Sequence, residues 1–342
     1  MANFSTAELV KAQSKLIRAF QSNELRFRDP AVHKLFLKNT EIMVPGFMDL
    51  KTSTDRVIET NFFTRQSRTL GGAPSHDHTG PQGDSSTFTP TWTPHSDKFV
   101  STLKEANNKI YTLDELQMSK MNDVVANFAE GLETVAADFL FANRSGVNIA
   151  TAEGSFDATD DTFEIDDATN GIRAIQITRM VMDINKYQGM SFDIVCDSIA
   201  FNRFQFDAAQ GISNSTNTSF QFQNVTFIHD PSLTAAAAGL VSAYSKGYWI
   251  AVPAGSIAVL PWIPLQNRQG IVTKENMYGQ ITNPIDGVSY AIHSYEERVN
   301  GISLGGQLQD LKVETQIWVE MAYTTAPLSV ATESSLMAFA LV

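Results

Sequence analysis

Two histidines and an aspartate at positions 76–78 have a spacing that could bind a metal ion. His76 and His78 flank Asp77 in the segment GGAPSHDHTGPQG, and a His-x-His pair on an extended strand directs both rings to one face. Zinc binds imidazole, but a zinc site needs three or four ligands in fixed geometry, and His95 is the nearest further histidine. Because glycines and prolines surround the pair, the segment favours a loop tip. We therefore predict no bound metal and no cofactor.

Ser303 lies in the second stretch that suggests chemistry. The residues Gly301-Ile302-Ser303-Leu304-Gly305 match the G-x-S-x-G nucleophile motif, which requires a sharp turn from a strand into a helix. Here the strand-like LKVETQIWVEMAY follows, so a glycine-rich loop is the better interpretation. The sequence therefore favours a protein that is not an enzyme, and an α/β hydrolase-like enzyme using Ser303 is kept as an alternative.

Composition and charge indicate a soluble, folded chain with a basic amino-terminal segment. Hydrophobic residues make up 43% and charged residues 18% of the 342 positions, and no apolar stretch is long enough to span a membrane. The net charge is −12, yet residues 1–70 hold eleven Lys and Arg against seven Asp and Glu. The single cysteine, Cys196, excludes an intrachain disulfide and is predicted to be a buried strand thiol.

The amino-terminal segment is predicted to be an arm of two helices. Residues 5–22 begin with a capping box, Ser5 and Glu8, and a second short helix follows Pro30. A basic arm is expected to contact nucleic acid or an acidic face of a neighbouring copy. Its candidate contact residues are Lys11, Lys15, Arg18, Arg26, Arg28, Lys34 and Lys38.

Residues 56–104 are predicted to form two extended segments around the glycine-rich loop. Aromatic and β-branched residues indicate strands on both sides, while Pro90 and Pro94 restrict the second strand to a sheet edge or to a position outside any sheet. A two-stranded hairpin is poorly stable alone in water, so we expect it to lie against something else.

The strongest helical pattern covers residues 112–145. Apolar residues recur every three or four positions along its whole length, and Gly146 provides a stop. Such a helix is long enough to be a spine against which a sheet packs.

The rest of the chain has a mixed pattern. The acidic stretch 154–171 is predicted to be a solvated linker, with weak calcium binding as an alternative. A helix is expected over 172–187, with Ile172, Ile175, Met180 and Ile184 on its buried side, and another helix capped by Ser198. Strands are predicted at SFDIVCD, FQFQNVTFIHD, GYWIAV, SIAVLPWIPL, GVSYAIHSY and LKVETQIWVEMAY, and the apolar SLMAFALV follows.

The order of these elements resembles the major capsid proteins of tailed double-stranded DNA phages, which have the Hong Kong 97-like fold. The resemblance rests on the hairpin at 56–104, the spine helix at 112–145, the α/β segment from about 172 to 290 and the strand LKVETQIWVEMAY. It implies an α+β fold with an N-terminal arm, an extended β-hairpin loop, a long spine helix in a peripheral domain and a mixed α/β axial domain.

The resemblance also implies how the chain divides. Residues 1–55 would be the arm, 56–104 the extended loop, 105–170 the peripheral domain and 171–295 the axial domain, and 296–342 would return to the peripheral domain. The extended loop would contact a neighbouring subunit. Its candidate contact residues are Phe62, Phe63, Arg65, Arg68, His76, His78, Phe88 and Trp92. The apolar carboxy-terminal stretch is also expected to fit an interface between copies.

As a capsid protein, the chain would assemble with itself into the pentamers and hexamers of an icosahedral head. Assembly would take place in the bacterial cytoplasm, and the protein would end in the virion. The basic arm would face packaged DNA, through non-specific backbone contact, or adjacent copies. Portal, scaffold, a separate maturation protease and decoration proteins are the further partners that the resemblance implies, and no membrane is among them. The alternatives are an encapsulin-type nanocompartment shell and a tail or baseplate protein.

Overall fold

The computed structural model describes residues 6–22, 27–43, 60–64, 84–88, 90–102, 113–146, 150–185, 191–212, 225–273, 276–299, 310–326 and 336–342. The helices are α1 (Thr6–Gln21), α2 (Ala31–Met43), α3 (Leu113–Ala142), α4 (Asp167–Asn170), α5 (Ala174–Ile184), α6 (Ser198–Ile212), α7 (Ser232–Ala238) and α8 (Leu265–Gln269). A 3-10 turn, Gly171–Arg173, joins α4 to α5. Within these ranges, no helix is long and apolar enough to cross a membrane.

The strands of the described residues form three sheets. They are β1 (Thr60–Thr64), β2 (Asp84–Phe88), β3 (Thr93–Thr102), β4 (Ala150–Thr151), β5 (Gly154–Asp157), β6 (Thr162–Ile165), β7 (Phe192–Cys196), β8 (Val225–His229), β9 (Tyr248–Pro253), β10 (Ile257–Trp262), β11 (Asn276–Thr282), β12 (Ser289–Val299), β13 (Asp310–Thr325) and β14 (Met337–Leu341). The sheets comprise β1 with β2, then β3 and β10–β13, and lastly β4–β9 with β14.

The predicted spine helix is confirmed as α3. It has 30 residues, which gives a length of about 45 Å. Val125, Leu132 and Leu140 on it are at most 1% exposed and belong to a core cluster that also holds Val319 of one sheet and Ile250 of another. The helix therefore provides one apolar face that both large sheets share.

The long strand β13 organises the five-stranded sheet. All of its partners are antiparallel. Strands β12 and β10 pair with consecutive stretches of one edge, and β3 pairs with residues 312–321 on the other edge. Its alternate residues Ile317, Val319 and Met321 are buried and belong to the same core cluster as the apolar residues of α3. Among the described strands, β3 pairs with β13 alone, so it has the edge position that was one of the two predicted from Pro90 and Pro94.

The seven-stranded sheet has the order β4-β5-β6-β14-β9-β7-β8. Its two faces are both covered, because Trp249 and Phe339 pack with α5 and α6, while Tyr248 and Ile250 pack with α3 and α7. Strand β14 lies in the middle, parallel to β6 and antiparallel to β9, and all five of its residues are buried. The expected interface role of the apolar stretch 335–342 is therefore wrong, since its strand belongs to the core.

The predicted solvated linker at 154–171 is also wrong. These residues form β5, β6 and α4, and Phe163 and Ile165 are 0% exposed in the second core cluster. Apart from Glu164 of β6, the carboxylates lie at the end of β5, in the turn before β6 or at the start of α4, so a high acidic content coexists with two buried apolar side chains. The sheet thus joins residues 150–165 and 337–341 to residues 192–253, and the domain boundaries given above stay a prediction.

Two helix details differ from expectation. Helix α5 buries Ile177, Val181 and Met182, whereas Ile172 is 82% and Ile184 51% exposed. Of the four residues that the sequence placed on one side, Ile175 is buried and Met180 half-buried, so the spacing identified only part of the buried face. Helix α6 is capped by Asp197 and not by Ser198, since the Asp197 Oδ1 atom accepts a hydrogen bond from the Ala200 N–H at 2.7 Å.

Candidate assembly surfaces

The hairpin predicted at 56–104 is confirmed only in part, because residues 60–64 and 84–88 form a sheet of their own whereas residues 93–102 are strand β3 of the five-stranded sheet. Thr60 pairs with Phe88 and Thr64 with Asp84, so β1 and β2 form an antiparallel sheet of their own. Phe62, Phe63 and Phe88 lie on these strands, and their side chains are outside the described part. Arg65, Arg68, His76 and His78 also lie outside the described residues, as does Ser303.

Trp92 stands where the chain passes from the hairpin into β3. It is half-buried against a small apolar cluster on the face of the five-stranded sheet that points away from α3. The cluster consists of Met43, Ala258, Leu260 and Ala322. Trp92 therefore packs on its own chain, and its predicted contact with a neighbouring subunit stays a prediction.

The basic residues of the arm fall into two groups. Lys11, Lys15 and Arg18 are exposed on α1, whose Leu16 and Ala19 are buried against the body. Arg26 lies outside the described residues. The contact surface predicted for this helix is therefore accessible on the folded chain.

The second group of basic residues has partners within the chain. Arg28 forms an ion pair with the fully buried Asp230. Lys34 contacts Asp29 at 2.6 Å, and the exposed Lys38 contacts the buried Asp193 at 3.3 Å. The Arg28 and Lys38 contacts join the second helix of the arm to the body, whereas the Lys34 contact lies within the arm.

Helix α2 is a part of the core and not of a detached arm. Val32 and Phe36 are 0% exposed, and Phe36 packs edge-on against Tyr323 of β13 with 5.1 Å between ring centroids. Thr40 completes the attachment at the free edge of β10. Its hydroxyl accepts a hydrogen bond from the Val259 N–H at 3.0 Å, and its single hydrogen faces two acceptors, the Phe36 carbonyl at 2.8 Å and the Val259 carbonyl at 3.0 Å. Edge groups that would otherwise lack a strand partner are thereby satisfied.

A buried glutamate of the spine helix holds the amino end of α2. Glu133 is 0% exposed, and its two oxygens accept hydrogen bonds from the Val32 N–H at 3.1 Å and the His33 N–H at 3.0 Å. The first N–H groups of a helix have no partner inside it, so the carboxylate satisfies two of them. Burial raises the pKa of Glu133, and the two hydrogen bonds oppose that rise.

Histidines continue this polar cluster towards the sheet. The His33 Nδ1 atom lies 2.9 Å from the Tyr323 hydroxyl, and its Nε2 atom lies 3.7 Å from Asp286. His95 of β3 is close enough for the charge of His33 to lower its pKa, after a larger lowering caused by burial. Sequence reasoning missed this cluster. Its one available signal was Glu133, a carboxylate on the apolar side of α3 between Ala129 and Ala136.

Metal binding and thiol chemistry have no suitable groups among the described residues. Among them, no group of three or more His, Cys, Asp or Glu side chains is arranged to hold a metal ion. Cys196 is buried as predicted, and burial raises the pKa of its thiol. A thiol in that state is a poor nucleophile.

No protein-family model and no curated protein matches the chain. Several solved structures do match the chain. The chain is similar to a structure described as the capsid asymmetric unit of cyanophage Pam1, with 10% identity, a TM-score of 0.53 and coverage of 92% of this chain and 93% of that chain. It is also similar to a structure from Mycobacterium phage Che8, with 8% identity, a TM-score of 0.49 and 90% of each chain covered. A third similar structure is the capsid asymmetric unit of cyanophage A-1(L), with 9% identity, a TM-score of 0.47 and coverage of 92% of this chain and 93% of that chain. The predicted α+β capsid fold is confirmed.

Proposed function

We propose that this chain is the major capsid protein of a tailed double-stranded DNA phage and that its copies assemble into the pentamers and hexamers of an icosahedral head. The observation that carries the proposal is that, among the described strands, β1 and β2 pair only with each other. Two strands without a third strand or a covering helix are marginal in water. A neighbouring copy would supply the missing surface, and the capsid fold supports this role.

The proposal assigns the chain a structural role without catalysis. Lys11, Lys15 and Arg18, exposed on α1, would face packaged DNA or an adjacent copy. Contact with DNA would be an interaction with the phosphate backbone and would weaken with salt. Portal, scaffold, protease and decoration proteins are proposed as partners from the same resemblance, and the virion as the final location.

The test is to express the chain and to examine the products by negative-stain microscopy and light scattering. We expect closed shells, or capsomers of five and six copies. A monomer that never assembles at any salt concentration would contradict the proposal. Shells filled with a cargo protein in place of DNA would favour the nanocompartment alternative.

A deletion tests the role of the hairpin separately. Removing residues 72–84 takes out the loop and Asp84, the first residue of β2, and leaves both large sheets intact, so we expect a normal melting temperature with impaired assembly. The control replaces the polar stretch 213–219 with a glycine-serine linker of equal length. Normal shell yield from the deletion variant would show that the hairpin tip has no essential contact.

A further inference from the structure

We infer that helix α2 fixes the angle between the two large sheets and that this angle sets the curvature of the shell. Three consecutive residues of α2 carry the inference, and we call them the clamp. Lys38 binds the seven-stranded sheet, Asn39 binds the turn between the sheets and Thr40 binds the five-stranded sheet. The step from angle to shell rests on the proposed function, whereas the action of the clamp on the angle does not.

The turn at residues 254–256 leads directly from one sheet into the other. Strand β9 of the seven-stranded sheet ends at Pro253, and β10 of the five-stranded sheet begins at Ile257. In the described part of the chain, no other link as short as this one joins a strand of one sheet to a strand of the other. A few residues between two packed units are where hinge rotations occur in proteins, because small changes in their backbone angles reorient the units.

Each residue of this turn is held by a different part of the molecule. The Ala254 N–H donates a hydrogen bond at 3.0 Å to the carbonyl of the residue that precedes β7 in the seven-stranded sheet. The Ser256 carbonyl accepts one at 2.7 Å from the Ala326 N–H, just after β13 of the five-stranded sheet. Between them, the Gly255 N–H donates to the Asn39 Oδ1 atom at 2.8 Å. Helix α2 therefore holds the middle of the turn from outside both sheets.

A second contact covers the same turn. Gly255 has a φ of +78°, in the left-handed region that favours glycine. A Cβ atom at this position would meet the Ile42 Cγ2 atom at 2.9 Å, so the side chain of Ile42 lies directly against the turn. Ile42 follows the clamp by two residues, and it is 55% exposed. Helix α2 thus restrains Gly255 by packing as well as by the hydrogen bond from Asn39.

Asn39 is an unfavourable residue for its helix and is nevertheless buried inside it. Asparagine forms helices less readily than alanine or leucine, and Asn39 is 1% exposed. Its Nδ2 atom donates to the Leu35 carbonyl at 2.9 Å, which fixes the amide and directs Oδ1 to Gly255. A buried polar side chain whose hydrogen bonds orient it in this way holds its partner in one place. The amide therefore acts on the turn more than on its own helix.

Lys38 and Thr40 extend the clamp to the two sheets. The Lys38 Nζ atom lies 3.3 Å from Asp193 of β7, which is 6% exposed and pairs with Val252 of β9. The Thr40 hydroxyl accepts a hydrogen bond from the Val259 N–H of β10 at 3.0 Å. Because one helix carries all three clamp residues, the distances between them are fixed. A rotation of one sheet relative to the other would therefore break at least one of the three contacts.

The angle between the sheets matters for a protein that assembles with copies of itself. Copies that touch through surfaces on both sheets are oriented by the angle between those sheets. The rotation from one copy to the next decides whether an assembly closes and how many copies it holds. A small change of angle, repeated from copy to copy, therefore changes the diameter of a shell or prevents its closure. The clamp residues are thus positioning residues for assembly.

Distance measurements between spin labels test the action of the clamp on the angle. Ser155→Cys on β5 and Gln316→Cys on β13 place one label on each sheet at an exposed position, and Cys196 is buried away from the reagent. Labelled chain is diluted with unlabelled chain, so that each distance is measured within one copy. The clamp variant carries Lys38→Met and Asn39→Ala. We expect its distance distribution to be at least about two-fold wider than that of the wild type.

Two further variants separate the clamp from a general loss of stability. Ile42→Ala removes the side chain that lies against Gly255 at an exposed position, so we expect a melting temperature near that of the wild type and a wider distance distribution. The control carries Lys34→Met, since the Lys34 contact with Asp29 lies within the arm, and Asn143→Ala. The Asn143 amide makes the same bond to the carbonyl four residues back, at the exposed end of α3. The control is expected to give wild-type distances.

Electron microscopy of the assembled products tests the step from angle to shell. We expect wild type and control to form shells of uniform diameter, and the clamp variant to form shells of mixed diameter or open sheets. A clamp variant with wild-type distances would overturn the inference, and so would wider distances with shells of wild-type diameter. A wild-type chain that never assembles would contradict the proposed function, and the label distances would still decide whether the clamp fixes the angle.

Discussion

The carboxylate of Glu133, in the middle of the spine helix, accepts a hydrogen bond from the backbone N–H of His33 at the start of α2, at 3.0 Å. The two residues are one hundred positions apart in the sequence. A side chain of one helix thus acts as the cap of another, and this contact positions the arm on the body.

Replacing Glu133 with Gln is expected to destabilise the protein by about 1–3 kcal/mol, because the amide presents an N–H group where two backbone donors require acceptors. Denaturant unfolding measures the change. Glu130→Gln is the matched control, since Glu130 is exposed one turn away and its one contact with the arm, to the Arg28 N–H, is 3.4 Å long. Equal effects of the two substitutions would show that the cap contributes nothing specific.

Thr40→Val is expected to weaken the attachment of α2 at β10. Valine keeps the shape of threonine and removes the hydroxyl, which leaves the Val259 N–H and carbonyl without this partner. A buried polar group left unsatisfied costs about 1–3 kcal/mol. The measurement is the free energy of unfolding, together with hydrogen exchange at Val259. Thr134→Val, at an exposed position of α3, should change neither quantity.

Stability should fall as the pH is lowered below about 6.5, in part through His95. Burial, and then the charge of His33, lower the pKa of His95 from its ordinary value of 6.5. The unfolded chain therefore binds this proton more tightly than the folded chain does. The stability that neutral His95 contributes is fully present above the pKa of His95 in the unfolded chain, and it is lost as the pH falls through the pKa of His95 in the folded chain. Glu133 acts in the opposite sense, because its pKa is raised.

Urea unfolding at about pH 7.5 and about pH 5.5 tests this dependence. The His95→Gln variant, which cannot titrate at this position, should lose less stability between the two pH values than the wild type. Parallel losses in both proteins would rule out a contribution from His95.

Phe339→Ala is expected to destabilise the protein by about 3–5 kcal/mol, the usual effect of removing a buried aromatic ring. Phe339 is 0% exposed and stacks against Trp249, with 6.0 Å between ring centroids. Thermal melting of the unassembled chain measures the loss. Val342→Ala, at a position 39% exposed, serves as the control. A variant that melts normally but fails to assemble would restore the interface role first expected for this stretch.

The parts of the fold that could be predicted are those determined by local patterns. The apolar stripe of α3 and the alternation in β13 are each readable within one element, and Pro90 and Pro94 left a sheet edge as one of two predicted positions for β3. Strand β11 was missed, because glycine and polar residues leave Met277 and Ile281 as its main apolar signal.

The arrangement around Glu133 could not be predicted for a different reason. Its acceptors, donors and aromatic neighbours come from α2, α3 and β13, which are widely separated in the chain, and each residue alone has an ordinary local context. The acidic stretch 154–171 was wrongly predicted to be a solvated linker for a related reason. Composition indicated solvent exposure, whereas pairing of β6 with the distant β14 decided that Phe163 and Ile165 are buried.

The pairing of β3 with β13 has a consequence for how the chain folds. Thr102 is opposite Lys312, so most of the chain must be made and brought into place before this edge of the sheet closes. Contacts of such high sequence separation slow folding far more than they lower stability, because the entropy of loop closure grows only slowly with length. Until that step, β13 exposes an unpaired edge to other unfinished chains, and folding competes with aggregation. The yield of this protein in a cell should therefore depend on temperature and on chaperones more than its final stability suggests.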